Sequence, residues 1–226
     1  VRACTVGDQV ILLDLRRNRY LSVGGHGMPT LEGQVRGWPA NVTTLNGPMP
    51  APVRALAERL TAQGLLTDAA SPATHHPTVE EATASLDTES ADVGERLAAG
   101  QVIRFLQSAT ASALRLRLRS LDAIATSVAA THARIARSDR YASRADTLRI
   151  AATYERLRPF ALTAEDKCLQ DSLALMAFLA AEGATARWVI GVKTRPFGAH
   201  SWVQLGPTVL NDQHARVRHF TPILVV

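Results

Sequence analysis

Asp166 to Gly183, DKCLQDSLALMAFLAAEG, is the stretch on which the reading of this chain turns. Leu169, Leu173, Met176 and Ala180 share one helical face, while Leu175, Phe178 and Leu179 make the opposite face apolar too. A helix apolar nearly all round belongs in a core. Thr163 or Asp166 is expected to cap its start, Asp171 is an acid in the early turns, and Gly183 stands where a left-handed C-terminal cap falls. Cys168 therefore lies in or near the first turn. There, unpaired backbone N–H groups and the positive end of the helix dipole favour thiolate over thiol, and Lys167 adds a further positive charge. A lone cysteine in an apolar helix is more often packing than chemistry, so the helix alone decides nothing.

The residues that follow change that balance. Ala186 to Val192, ARWVIGV, reads as a strand, Lys193 to Gly198 as a loop, and Ala199 to Leu205, AHSWVQL, as a second strand with His200, Trp202 and Gln204 on one face. Gly206 and Pro207 mark a turn, after which Thr208 to Asn211 returns as a third strand with Asp212 at its end. A plain two-residue turn would set Asp212 opposite Ser201, on the wrong face. The expectation is therefore a loop of odd length, which opposes His200 and Asp212 with β-carbons roughly 5 Å apart. Cysteine, histidine and aspartate in this order supply a nucleophile, a base and a carboxylate that orients the base, a set suited to acyl transfer from an amide. Phe197 and Trp202 are candidates for a substrate groove and equally for plain core packing.

CLQDSLAL, GVKTRPFGAHSWVQL and VLND together resemble the cysteine protease of lasso peptide biosynthesis, a member of the transglutaminase-like superfamily, over roughly Gly94 to Val226. Ser201 stands where that family commonly has alanine. The resemblance implies Cys168 as nucleophile, His200 as base and Asp212 as orienting acid. It also implies removal of a leader from a ribosomally made precursor, ahead of macrolactam formation by an ATP-dependent, asparagine-synthetase-like lasso cyclase.

Residues 1–70 read as three short antiparallel strands, RACTV, QVILLDL and RYLSVG, followed by a short helix over His26 to Arg36 and an amphipathic one over Pro52 to Gln63 that stops at Gly64. This winged-helix-like unit resembles the RiPP recognition element, the leader-binding module that accompanies such proteases. A sheet edge can accept an extended peptide as a further strand while a neighbouring helix supplies pockets. The edge expected to do so is Arg19, Tyr20, Leu21, Ser22 and Val23, and its helical wall Val53, Leu56, Ala57 and Leu60. A DNA-binding winged helix is the competing reading, but Arg54 and Arg59 against Glu58 make a weak phosphate footprint, and no nucleic acid partner is expected.

Residues 71–95 lack aromatic and basic side chains and read largely as linker. His75 and His76 within them lack the spacing of a metal site. Arg96 to Phe160 reads as helical, including the alternating Arg115, Arg117 and Arg119, and residues 96–226 are expected to form the protease domain. The expected fold class is thus α+β: a winged-helix-like recognition element followed by a transglutaminase-like, papain-like cysteine protease domain.

The 226 residues carry a net charge of +5 and suffice for a real core. No apolar run reaches the roughly 18 residues of a membrane span, and no secretory signal is visible. The chain opens on Val1 rather than methionine, so its true start is expected to be altered or trimmed. Two cysteines, Cys4 and Cys168, in separate proposed domains fit a reducing bacterial cytoplasm. With no phosphate-binding loop, paired-cysteine motif or HExxH, neither a cofactor nor a metal is expected. Two other readings stay open: an acyl transferase of transglutaminase type, and a non-catalytic protein that only presents the precursor.

Overall fold

In the computed structural model, β1 (Arg2–Val6), β2 (Gln9–Asp14) and β3 (Arg19–Gly24) form an antiparallel sheet in that order, as their alternation suggests. The structure describes residues 1–24, 31, 35, 38–39, 49–67, 69, 78–87, 97–138, 141–161 and 167–226. Gly7, at φ 61°, makes the tight turn between β1 and β2. The next connection is held by Asp14, whose carboxylate accepts the N–H groups of Arg16 and Arg17.

Central strand β2 is buried on both faces. Val10 and Leu12, with Val23, pack against helix α1 (Ala51–Ala62) through Leu60, and Leu31 and Trp38 join the same cluster. Ile11 and Leu13, with Cys4, face the opposite way and belong to the core of the second unit. The first sheet is therefore a layer between α1 and the rest of the molecule. The helix expected over His26 to Arg36 falls mostly outside the described residues.

The second unit is built around α5 (Cys168–Ala181), whose Leu173 to Met176, Phe178 and Leu179 are all buried. α2 (Ala99–Leu118), α3 (Leu121–Ile135) and α4 (Arg144–Leu157) cover it, with Phe105 and Phe178 packed edge-on or tilted against Tyr154. The expected helical region is α2, α3 and α4, broken where Ser120 caps α3 by accepting the N–H of Ala123 and again where Ser143 caps α4 by accepting that of Asp146. Thr163 and Asp166, the caps expected for α5, lie outside the described residues; Lys167 occupies the cap position and makes no side-chain cap bond.

On the other side of α5 lies a five-stranded sheet in the order β4-β7-β6-β5-β8, formed by β4 (Ala84–Ser85), β5 (Arg187–Thr194), β6 (Phe197–Leu205), β7 (Thr208–Val209) and β8 (Thr221–Val225). A four-residue helix, α6 (His214–Val217), precedes β8. The loop expected over Lys193 to Gly198 is shorter than anticipated. Pairing continues to Thr194 and Phe197, leaving only Arg195 and Pro196 as the turn. β8 has no counterpart in the expectations above; it holds Pro222, and as an edge strand beside β5 it tolerates the missing N–H.

β4 lies inside the stretch expected to be linker. It runs parallel to β7, with Leu86 N–H donating to the Val209 carbonyl, while Val79 and Ala82 pack on Trp202 and Val209. Within the expected linker, Ala84 and Ser85 are thus part of the second sheet, and Val79, Ala82, Thr83 and Leu86 pack or hydrogen-bond along it. His75 and His76 lie outside the described residues.

Candidate active site

The structure brings Cys168, His200 and Asp212 together, by a route other than the one expected. The turn after β6 is the plain two-residue turn, with Leu205 opposite Thr208 and Gln204 opposite Val209. The odd-length loop is overturned. What delivers Asp212 is the end of β7 after Val209. Leu210 N–H still donates to the Val203 carbonyl, but the Asn211 side chain then takes the next ladder position by accepting Val203 N–H at 2.8 Å. Released from the ladder, the chain bends back, and Asp212 Oδ2 lies 2.5 Å from His200 Nε2.

His200 thus has Nε2 on Asp212 and its remaining nitrogen, Nδ1, for the hydrogen bond to Cys168. The short β7 has a second effect. Alternation along β6 aims the Ser201 N–H at the same side as that of Val203, where no strand receives it, and it donates to the Cys168 sulfur instead. Leu169 N–H, in the first turn of α5, is a further donor to that sulfur.

These contacts set the charges. Burial raises the Cys168 pKa, but the bonds to His200 and to the Ser201 and Leu169 N–H groups more than offset it, leaving the thiol below its ordinary 9.0. Burial lowers His200, yet Asp212 and Cys168 carry it to about 9. Asp212 is raised by burial and lowered further by His200 and by Gln213 N–H, which donates to Oδ1 at 2.7 Å. Both shifts favour a thiolate–imidazolium pair over the neutral thiol and imidazole. Cys4, buried without such partners, moves the opposite way, up to about 12.

A family model described as the transglutaminase-like superfamily matches residues 108–225, just over half of the chain. The chain belongs to that superfamily. A second likeness is local: 45 residues, 49% identical, shared with the microcin J25-processing protein McjB of Escherichia coli. That match covers 20% of this chain and 22% of McjB. No solved structure matches the chain at a significant level.

Behind Cys168, His200 and Asp212 lies a buried polar network that the sequence does not announce. Asp171, by position an acid in the early turns of α5, is only 3% exposed. Its carboxylate accepts the Tyr154 hydroxyl and the Asn211 amide, both at 2.9 Å, and lies 3.4 Å from Arg158 Nε. Arg158 also donates to the Asn211 carbonyl and to Glu155. Asp171 follows Cys168 by one turn, and Asn211 precedes Asp212 while holding β6 at Val203. One carboxylate thereby ties together the elements that carry Cys168, His200 and Asp212. Burial lifts the Glu155 carboxyl to about 7, and its Oε1 is buried with no hydrogen-bond partner among the described residues.

Beside Cys168 opens a cavity of about 540 Å³, lined by Glu155, Arg158, Lys167, Gln213 and Arg216 among others. Its wall at Ser85 comes from β4, whose hydroxyl accepts His214 N–H at 2.8 Å. Among the described residues, no group of His, Cys, Asp or Glu is gathered to hold a metal ion, and no helix is long and apolar enough to cross a membrane.

His200 is flanked by Trp202, stacked with centroids 6.2 Å apart, and by Phe220 at 5.2 Å. Trp202 therefore packs with the histidine rather than lining the cavity. Gly191 stands opposite His200 on β5, and a Cβ there would fall 2.8 Å from the Trp202 ring and 2.9 Å from Phe220 Cβ. Gly191→Ala is expected to cost about 1–3 kcal/mol through overpacking. It is also expected to tilt both flanks of His200, seen as lower stability to urea together with slower alkylation of Cys168. A variant that alkylates at the wild-type rate would show the flanks to be dispensable.

The expected leader edge divides by alternation. β3 is an edge strand with no partner on its outer side among the described residues. Arg19, Leu21 and Val23 face α1, while Tyr20 and Ser22 face the other way. Val23 and Leu60 are buried in the contact between sheet and helix, so their side chains are core. Leu21 is exposed, and Val53, Leu56 and Ala57 are half-buried against the same cluster.

Proposed function

We propose that this chain is a cysteine endopeptidase that binds the leader of a lasso peptide precursor and cuts it from the core, before a separate ATP-dependent, asparagine-synthetase-like cyclase closes the macrolactam. The observation that carries the reading is the hydrogen-bonded run from Cys168 through His200 to Asp212 at the mouth of a cavity. The likeness to a microcin-processing protein supports the choice of substrate.

In this mechanism the Cys168 thiolate attacks the carbonyl at the leader–core junction, and the oxyanion forms beside the Cys168 N–H at the start of α5. His200, already protonated, gives its proton to the departing amine, which becomes the new amino terminus of the core. It then takes a proton from the water that hydrolyses the thioester, while Asp212 holds the ring and stabilises its cation. The leader is held as an added strand along β3, beside α1. Tethering at one end makes attack at the junction effectively intramolecular, with effective concentrations of roughly millimolar.

The test incubates the protein and its Cys168→Ala variant with the precursor encoded beside its gene, with and without the cyclase, and reads products by mass. Loss of one leader-sized fragment, absent in the variant, is the expected result. An added amine in place of water would identify a transglutaminase, and intact precursor in every wild-type sample, with leader binding confirmed, would leave only presentation.

The charges predict the pH profile. The reactive pair exists above the Cys168 pKa and below that of His200, so kcat/KM is expected to rise at a pH below the ordinary thiol range and to fall as His200 deprotonates near pH 9. An activity that only begins to rise near pH 9 would mean a neutral thiol at rest.

A further inference from the structure

We propose that the amino-terminal sheet forms part of the catalytic cleft: Tyr20 of β3, with Phe197 and Ala199 of β6, makes an apolar shelf that seats the substrate residues just before the cut. The inference rests on the peptidase reading and goes beyond it. In that reading the first unit only holds the leader; here it also selects what Cys168 receives.

The shelf follows from how β6 is covered. Phe197, Ala199, Ser201 and Val203 share the face of β6 that looks toward α5. Ser201 and Val203 are buried beneath that helix, whereas Ala199 and Phe197 extend past its first residue and are exposed, Phe197 by 54%. Cys168 is that first residue, so the bare part of the strand begins beside the sulfur.

Tyr20 closes the far side. Its ring meets Phe197 edge-on, with centroids 5.7 Å apart, and it packs against the same core as Leu169, the neighbour of Cys168. Burial, and then the charge at Cys168, push its phenol up to about 12. An ion pair from Asp8 to Arg195 ties the β1–β2 turn to the β5–β6 turn at the same junction.

A peptide added along the open edge of β3 alternates its side chains between α1 and the Tyr20 face, and it leaves the edge at this shelf. The leader precedes the cut, so the shelf lies on the acyl side of the scissile bond. The charged cavity lined by Glu155, Arg158 and Arg216 is left for the residues after it. An aromatic edge, an exposed phenyl ring and an alanine floor suit an apolar side chain.

The test reads Cys168 itself. Short peptidyl chloromethyl ketones, whose chloride the thiolate displaces to form a thioether, would carry either leucine or aspartate at the two residues next to the warhead. Labelling rates at Cys168 would be followed by mass spectrometry, with iodoacetamide as a probe blind to side chains. Wild type is expected to prefer the leucine probe. Tyr20→Ala and Phe197→Ala are each expected to slow that probe about tenfold, with iodoacetamide unchanged and Tyr20→Phe near wild type. Phe197→Ala, at a largely exposed position, carries the test if Tyr20→Ala fails to fold. Equal leucine-probe rates in wild type and both alanine variants would overturn the shelf while leaving the peptidase reading intact. A wild-type Cys168 no more reactive to iodoacetamide than an ordinary thiol would overturn both.

Discussion

Cys168→Ala is expected to abolish cleavage, and His200→Ala to slow it by about 10²- to 10⁴-fold. The two losses have different physical content. Without the sulfur there is nothing to carry the acyl group. Without His200 the sulfur remains, but burial, which raises its pKa, is no longer outweighed by the strongest contact that lowers it. Ser201 and Leu169 N–H groups persist, so the thiol does not travel as far as Cys4, which burial alone takes to about 12. The check is the pH dependence of alkylation. In wild type, iodoacetamide is expected to modify Cys168 below the ordinary thiol range and to spare Cys4; in His200→Ala the Cys168 profile moves to higher pH while Cys4 stays inert. Identical profiles would mean that the helix start alone activates the sulfur.

Asp171→Ala is expected to lower stability by about 3 kcal/mol, toward the low end for breaking a buried charged network. Asp171 is 3% exposed and the substitution removes three carboxylate contacts at once, yet each partner keeps something. The Tyr154 hydroxyl retains the Asp171 backbone carbonyl, Asn211 retains a 3.3 Å contact with Ser172, and Arg158, about a third exposed, retains Glu155 and water. Urea unfolding measures the loss. Stability is only half of the expectation. Asn211 is held from one side by Asp171 and holds β6 from the other, so its loosening should let Asp212 drift from His200. Folded Asp171→Ala is therefore expected to show a lower His200 pKa, read from its ring proton resonances. Tyr154→Phe, which removes the hydroxyl shared between the Asp171 carboxylate and its backbone carbonyl and leaves Asn211 in place, should cost about 1 kcal/mol and leave His200 unmoved.

Much of the frame was legible in the chain. Strands β1 to β3, helix α1, the helical stretch and α5 all announced themselves through periodicity and through Gly7, Gly64 and Gly183, each of which adopts the positive φ its turn requires. These signals are local. A residue's preference for helix or strand, and the face it presents, depend on neighbours within a few positions, so a linear reading reaches them. Cys168, His200 and Asp212 were legible for the same reason, as chemistry-bearing residues at the start of a helix, on a strand and after a turn.

Their meeting was decided elsewhere. Counting residues through the turn assumed that the ladder continued to Asp212, and it ended at Val209 because the Asn211 side chain takes the ladder position of a backbone group. Asp171 looked like a helix-start acid until Tyr154, Asn211 and Arg158 closed round it. β4 is two residues from a polar stretch that pairs only because Pro207 and Val209 offer carbonyls across more than a hundred residues of chain. Tyr20 belongs to one unit by sequence and packs beside the cysteine of another. The residue types and local elements were determined by the sequence alone. Which carboxylate meets the histidine and which N–H groups find the sulfur were decided by tertiary structure, because buried polar groups mostly pair with whatever partners the fold brings within reach.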